Sequence, residues 1–220
     1  MKRKIQFPPV EGATSDGLVA IGGDLEIDTL EIAYRSGIFP WPLSVDFPLA
    51  WFSPDPRGIL EFTDFHLPRS FKKFLKKSEF KITYNQNFSQ VIKNCATVKR
   101  KGQHSTWITP EIIKGYERLF LAGQAYSVEV WKEDLLVGGI YGVIMGNFIS
   151  GESMFSKERE ASKVALYHLI EHLLTKKITW IDTQMVTPVV SQFGGKYIPR
   201  SQFLSLIHQM DWQLSRESIF

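Results

Sequence analysis

Between Asp134 and Glu152 the chain carries no charged residue, and this interval constrains the fold more than any other feature. An uncharged stretch has to be covered by protein or by lipid. A spanning helix needs about 20 apolar residues, whereas this run is shorter and is broken by Gly138, Gly139, Gly142, Gly146 and Asn147. Strands satisfy it better. Ser127 to Trp131 and Leu135 to Val143 read as a hairpin turning across Lys132-Glu133-Asp134. A second turn at Met145-Gly146-Asn147 then leads into a strand carrying Glu152.

Helical patterns surround this hairpin. Asn87 is placed to cap a helix running to about Ala96, and Pro110 opens another with Ile112, Ile113, Tyr116 and Leu119 facing inward. Ala161 to Thr175 reads as a long helix followed by a strand from Ile178 to Asp182, and Pro199 and Ser201 begin a last helix through Met210. Helices flanking a mainly antiparallel sheet make residues 61–220 an α+β body. Residues 1–60 differ, crowding turn formers such as Phe7-Pro8-Pro9, Gly22-Gly23-Asp24 and Ser53-Pro54-Asp55-Pro56 around one short helix from Asp28 to Ser36. They are expected to form a small N-terminal domain. At 220 residues, 44% hydrophobic, the chain can bury one good core or two modest ones.

The overall charge of +3 conceals an asymmetry. Residues 69–101 hold ten bases against the single acid Glu79, a local charge of +9, so the remainder carries −6. Within Ser70 to Lys77, Phe71, Phe74 and Leu75 share a helical face and leave Lys72, Lys73, Lys76 and Lys77 on the others. With Arg69, Lys99, Arg100 and Lys101 they form a surface suited to a polyanion, in which lysine–phosphate contacts give affinity without sequence readout. Cys95 is the sole cysteine, which excludes an intrachain disulfide and fits a reducing, cytoplasmic setting. Met1-Lys2-Arg3-Lys4 is basic, but Pro8, Pro9 and Glu11 stand where a signal peptide needs apolar residues.

Two segments stand out for chemistry. Gly151-Glu152-Ser153-Met154-Phe155-Ser156 sets one acid beside a Ser/Met/Phe surface, and Ile181-Asp182-Thr183-Gln184 supplies a second acid with an amide two residues on. The combination suits a site holding an amine and an apolar side chain together without a metal. His168 and His172 have helical spacing, but no third ligand accompanies them, and Cys95 reads as core.

Gly22-Gly23-Asp24-Leu25, Gly37-Ile38-Phe39-Pro40-Trp41, Trp51-Phe52-Ser53-Pro54-Asp55-Pro56-Arg57 and Thr106-Trp107-Ile108-Thr109 resemble successive signatures of the leucyl/phenylalanyl-tRNA–protein transferases. Ser127 to Trp131, Gly138 to Gly142, Gly151 to Ser156, Asp182, Gln184 and Ile198-Pro199-Arg200 continue the series, so the likeness runs from about Phe7 to Met210. It implies an acetyltransferase-like catalytic domain and transfer of leucine or phenylalanine, with methionine a third candidate, from aminoacyl-tRNA to proteins beginning with arginine or lysine. Such transfer marks them for degradation by the N-end rule. The donor is an activated ester, so neither ATP, metal nor cofactor is required, and an α-amine with a pKa of about 7.7–8.0 is partly neutral at physiological pH.

The resemblance also implies roles. Tyr34, Trp41, Trp107 and Tyr116 fall where the family holds the aminoacyl-adenosine end, and Ile140, Met154, Phe155 and Leu169 where it lines the amino-acid pocket. Asp182 is expected to orient the amine or accept its proton, directly or through Gln184. Gln184 is alternatively a holder of the amine or ester carbonyl, and Glu152 a partner for the acceptor's cationic end or a support for Gln184. Two other readings are a CoA-dependent N-acetyltransferase and a non-enzymatic RNA-binding module. Against the first, Ser156-Lys157-Glu158-Arg159-Glu160 has no glycine where a pyrophosphate loop would need it. Against the second, the module gives Glu152, Asp182 and Gln184 no use.

Overall fold

The computed structural model describes residues 6–43, 47–98 and 106–220. After a 3-10 turn at Val10–Gly12 come β1 (Leu18–Ile21), α1 (Ile27–Arg35), β2 (Phe39–Pro40), β3 (Ala50–Phe52), β4 (Arg57–Glu61) and α2 (Arg69–Leu75). The middle of the chain forms β5 (Lys81–Tyr84), α3 (Phe88–Thr97), α4 (Pro110–Leu121), β6 (Ala125–Lys132), β7 (Leu135–Met145), β8 (Phe148–Ile149) and β9 (Ser153–Ser156). It ends with α5 (Ala161–Thr175), β10 (Trp180–Gln184), α6 (Pro188–Gln192), β11 (Lys196–Ile198), α7 (Arg200–Ile207) and α8 (Arg216–Ile219).

The uncharged run becomes β7, buried from Leu136 to Met145 and antiparallel to β6. β5 extends the far edge of β6, while β8 and β9 pair with successive parts of β7, giving a five-stranded antiparallel sheet. Each face has its own core. Val128, Val130 and Ile140 pack with Leu166, Leu169 and Ile170 of α5. On the other face Tyr141 and Val143 join Phe88 and Ile92 of α3, Ile112 and Tyr116 of α4, and Leu30 and Tyr34 of α1. The α+β class expected from the pattern is what forms.

A second sheet has the order β10-β4-β11 and a third the order β1-β3-β2. The division expected between 60 and 61 falls inside β4, which pairs with both β10 and β11. A parallel bridge between Ser150 and Asp182 ties the five-stranded sheet to β10. That seam positions the site described below.

Some elements differ from their sequence-based expectation. Glu152 lies just before β9 rather than within a strand. Asp182 sits in mid-strand, because β10 continues through a bulge to pair Gln184 with Gly58. Ile178 does not start that strand; it closes α5, its N–H donating to Leu173 O while Lys177 takes the left-handed conformation and donates to Leu174 O. Asn87 stands at the N-cap of α3 without a side-chain cap bond. The buried Glu129 lies before the helix, accepting from the hydroxyls of Thr83 and Ser127 and, at 3.4 and 3.3 Å, from the backbone of Gln86 and Asn87. The short α6, β11 and α8 are not legible in the sequence as elements.

Candidate active site

Between β8 and β9, Ser150 to Glu152 stay against β7 outside regular strand pairing, Ser150 N–H donating to Val143 O at 2.9 Å and Glu152 N–H to Tyr141 O at 3.0 Å. Gly142 permits this close approach: a Cβ there would lie 1.8 Å from the Ser150 carbonyl oxygen. That oxygen accepts from the Tyr126 hydroxyl at 2.9 Å. Gly151 N–H donates to Asp182 O at 2.8 Å, drawing β10 alongside.

Glu152 is held at this seam from three sides. Its Oε1 accepts from Ser150 Oγ at 2.6 Å and Gln184 Nε2 at 2.9 Å, and its Oε2 from the Tyr116 hydroxyl at 3.4 Å. The Tyr116 hydroxyl lies 2.5 Å from that of Tyr34. Burial raises the Glu152 carboxyl to about 7; the Ser150 and Tyr34 hydroxyls and Arg57 oppose the rise, and the Asp182 charge adds to it. A carboxyl poised there exchanges a proton readily at physiological pH.

Asp182 is placed differently. It is fully buried, and Arg57, 1% exposed, grips it through Nε to Oδ1 at 2.9 Å and Nη2 to Oδ2 at 2.6 Å. Oδ1 also accepts from the backbone of Gln184 at 2.9 Å. Both carboxylate oxygens are thus committed within the protein.

Glu152 and Gln184 form the polar edge of a pocket of about 390 Å³. Ile140, Met154, Leu166 and Ile181 make an apolar wall, and Val189 and Val190 of α6 close another side. Thr187 caps α6 by accepting from Val190 N–H at 3.3 Å, with Pro188 at the first helical position. Such a mixture of apolar lining and a few convergent polar groups is the usual make-up of a small-ligand site.

The four expected aromatics divide into two pairs. Trp41 and Trp107 stack on each other with centroids 5.7 Å apart and both line the pocket. Tyr34 and Tyr116 are 1% and 0% exposed and stand behind Glu152. The tryptophans are partly exposed at the pocket, whereas the tyrosines are buried. The apolar set divides as well. Ile140 and Met154 line the cavity, but Phe155 and Leu169 do not. Successive strand residues face opposite sides, so Phe155 joins the α3 core while Met154 faces α5. On α5, Leu166 reaches the cavity and Leu169 packs in the core.

The basic surface is present on α2. Arg69, Lys72, Lys73, Lys76 and Lys77 are exposed, while Phe71 buries against Phe193, 5.5 Å between centroids. Lys73, Lys76 and Lys77 share a shallow cleft of about 340 Å³ with Arg159. Lys99, Arg100 and Lys101 lie outside the described residues. Among the described residues no group of three or more His, Cys, Asp and Glu could hold a metal ion, and no helix is long and apolar enough to cross a membrane. Cys95 is buried on α3, and His172 Nε2 lies 2.6 Å from Ile219 O.

The family model for the leucyl/phenylalanyl-tRNA protein transferase matches residues 59–208, and the model for that protein's N-terminal domain matches residues 23–55. The chain belongs to this family. The relative in Flavobacterium johnsoniae, leucyl/phenylalanyl-tRNA–protein transferase, is 44% identical over 91% of this chain and 94% of its own. That of Dechloromonas aromatica is 47% identical over 90% of this chain and 85% of its own. Among solved structures, L-PGS from Bacillus licheniformis superposes with a TM-score of 0.41 and 12% identity, over 73% of this chain and 52% of that one. Within the family span, Glu152, Asp182, Gln184 and the apolar pocket wall all fall in the larger match, and Tyr34 and Trp41 in the smaller.

Proposed function

We propose that the pocket receives the aminoacyl end of leucyl- or phenylalanyl-tRNA, and that the protein transfers the amino acid to the α-amine of proteins beginning with arginine or lysine. The observation that carries this reading is the pairing of an apolar wall, Ile140, Met154 and Leu166, with the Glu152–Gln184 edge and the stacked Trp41 and Trp107 in one cavity. The wall suits an aliphatic or aromatic hydrophobic side chain, the thioether of Met154 adapting to either and to methionine. The tryptophans suit the terminal adenine.

Aminolysis then proceeds within this arrangement. The acceptor amine attacks the ester carbonyl, the new C–N bond forms, and the C–O bond to the terminal ribose breaks. Ionised Glu152 takes the proton the amine must lose, and that proton returns to the departing ribose oxygen. Gln184 holds the amine or the ester carbonyl in line, and Asp182 acts through Gln184. Positioning of this kind is a large part of what an enzyme adds when the donor is already activated. The acceptor stem lies along α2, where lysine–phosphate contacts anchor it. The body from residue 61 is taken as acetyltransferase-like, the setting as cytoplasmic, and the outcome as marking for N-end rule degradation.

The test is incubation of the pure protein with radiolabelled leucyl-tRNA and paired peptides beginning with arginine or alanine. Label on the arginine peptide alone is the expected result; label on neither peptide, with tRNA still bound, would refute the reading.

A further inference from the structure

Gln184 is a buried non-glycine residue in the left-handed region, φ 55°. Side chains rarely adopt that conformation unless their surroundings impose it. Two neighbouring residues of β4 impose it here. Gly58 pairs with Gln184 across a register shift in which Asp182 faces Ile59. A Cβ on Gly58 would lie 2.6 Å from the Met185 carbonyl carbon and 2.7 Å from its Cα, so the chain leaving Gln184 crosses β4 where no side chain stands. Arg57, the residue before, fixes the other end of the bulge by its two-pronged grip on Asp182, whose Oδ1 in turn accepts from Gln184 N–H.

Arg57 is itself over-determined. Nη1 donates to Gly37 O at 3.0 Å, and the guanidinium lies 4.8 Å from the Phe39 ring centre and 4.3 Å from that of Phe203. A planar, always-charged fork is the side chain that can hold all of these partners at once, and lysine cannot replace it. Arg57 is absent from the pocket lining, yet the arrangement it holds ends with Gln184 Nε2 donating to Glu152 Oε1 at 2.9 Å.

We propose that Arg57 is a positioning residue for the transfer reaction: with Gly58 it shapes the Asp182–Gln184 bulge, Asp182 serves as a strut, and the amide of Gln184 is thereby set against Glu152 in the pocket. The proposal rests on the site reading given above. It also assigns Asp182 to support rather than to proton transfer, because Asp182 does not line the pocket, whereas Glu152 and Gln184 do. The charges of Arg57 and Asp182 act on Glu152 in opposite directions, so losing one charge moves the Glu152 titration and keeping both leaves it in place.

The experiment measures transfer from leucyl-tRNA to an arginine peptide as a function of pH for the parent, Arg57→Lys, Gly58→Ala and Asp182→Asn, with near-ultraviolet circular dichroism to verify folding. Arg57→Lys keeps the charge and loses the fork, and it is expected to lower kcat about 100-fold, the effect of a small misplacement, with donor KM and the midpoint of the pH profile little changed. Gly58→Ala displaces Met185 without touching a charge and is expected to do the same. Asp182→Asn is expected to retain measurable turnover, with the midpoint moved to lower pH because the Arg57 charge is left unopposed. Folded Arg57→Lys and Gly58→Ala proteins with parental kcat would overturn the proposal, as would complete loss of turnover in folded Asp182→Asn. If Arg57→Lys does not fold, Gly58→Ala and Asp182→Asn decide. Absence of transfer by the parent would overturn both this proposal and the site reading beneath it, whereas transfer by the parent with unaltered variants overturns the positioning role alone.

Discussion

Replacing Glu152 with glutamine should change how the stability of the protein depends on pH, in a direction and by an amount the structure sets. Burial is the main reason the carboxyl rises from 4.5 to about 7 in the folded chain. Between those values the folded chain keeps a proton that the unfolded chain gives up. The resulting stabilisation is complete below about pH 4.5 and is lost as pH climbs through 7. Its size is up to about 3 kcal/mol. Glutamine preserves the shape of the site: its carbonyl can accept from Ser150 Oγ and Gln184 Nε2, and its amide can donate to the Tyr116 hydroxyl. Urea unfolding of parent and Glu152→Gln from pH 5 to pH 8 isolates the carboxyl's contribution as a difference. The stability of the parent relative to the variant should fall by most of that amount across the range. A difference that stays level would refute the reasoning, since it would mean Glu152 titrates alike in folded and unfolded chains. The same substitution should remove the limb of the pH–rate profile near 7 and leave that of the acceptor amine.

Replacing Lys72, Lys73, Lys76 and Lys77 together with alanine should weaken binding of aminoacyl-tRNA and lower its salt slope by about 1 for each phosphate left without its lysine. Reactivity toward a minimal aminoacyl-adenosine donor should be preserved, and filter binding over a salt series alongside a turnover assay checks both. Trp107→Ala should cost about 1–3 kcal/mol in donor affinity, read as a rise in KM with kcat little altered.

The parts of the fold that can be read from sequence are those where local pattern and tertiary environment agree. β7 follows from a stretch that carries no charge, and α5 from apolar residues at helical spacing over fifteen residues. The short α6 has five residues, too few for periodicity to register, although Thr187-Pro188 is a recognisable helix start. Glu152, Gln184, Met154 and the tryptophan pair are accessible because they sit in motifs rich in uncommon residues. Arg57 also lies in such a motif, but an arginine beside prolines gives no sign of being buried, and its partner is 125 residues away. Phe155 illustrates a different limit: it sits next to Met154 in the motif, and strand alternation turns it to the opposite side of the sheet. Glu129 gives no sign of its role, because the donors it satisfies, on β5, on β6 and in the turn before α3, come together only once β5 and β6 are paired.

The central claim is that the pocket between Glu152, Gln184 and the Met154 wall takes the amino-acid end of the donor. Met154→Trp places a large ring in that space while leaving α2 and its lysines untouched. Single-turnover transfer of labelled leucine from tRNA to an arginine peptide, measured beside tRNA binding, tests the claim most directly. The variant should bind tRNA like the parent and transfer at least about tenfold more slowly, in keeping with loss of a well-placed donor. Equal transfer by parent and variant would contradict it, because the amino acid would then be held somewhere else.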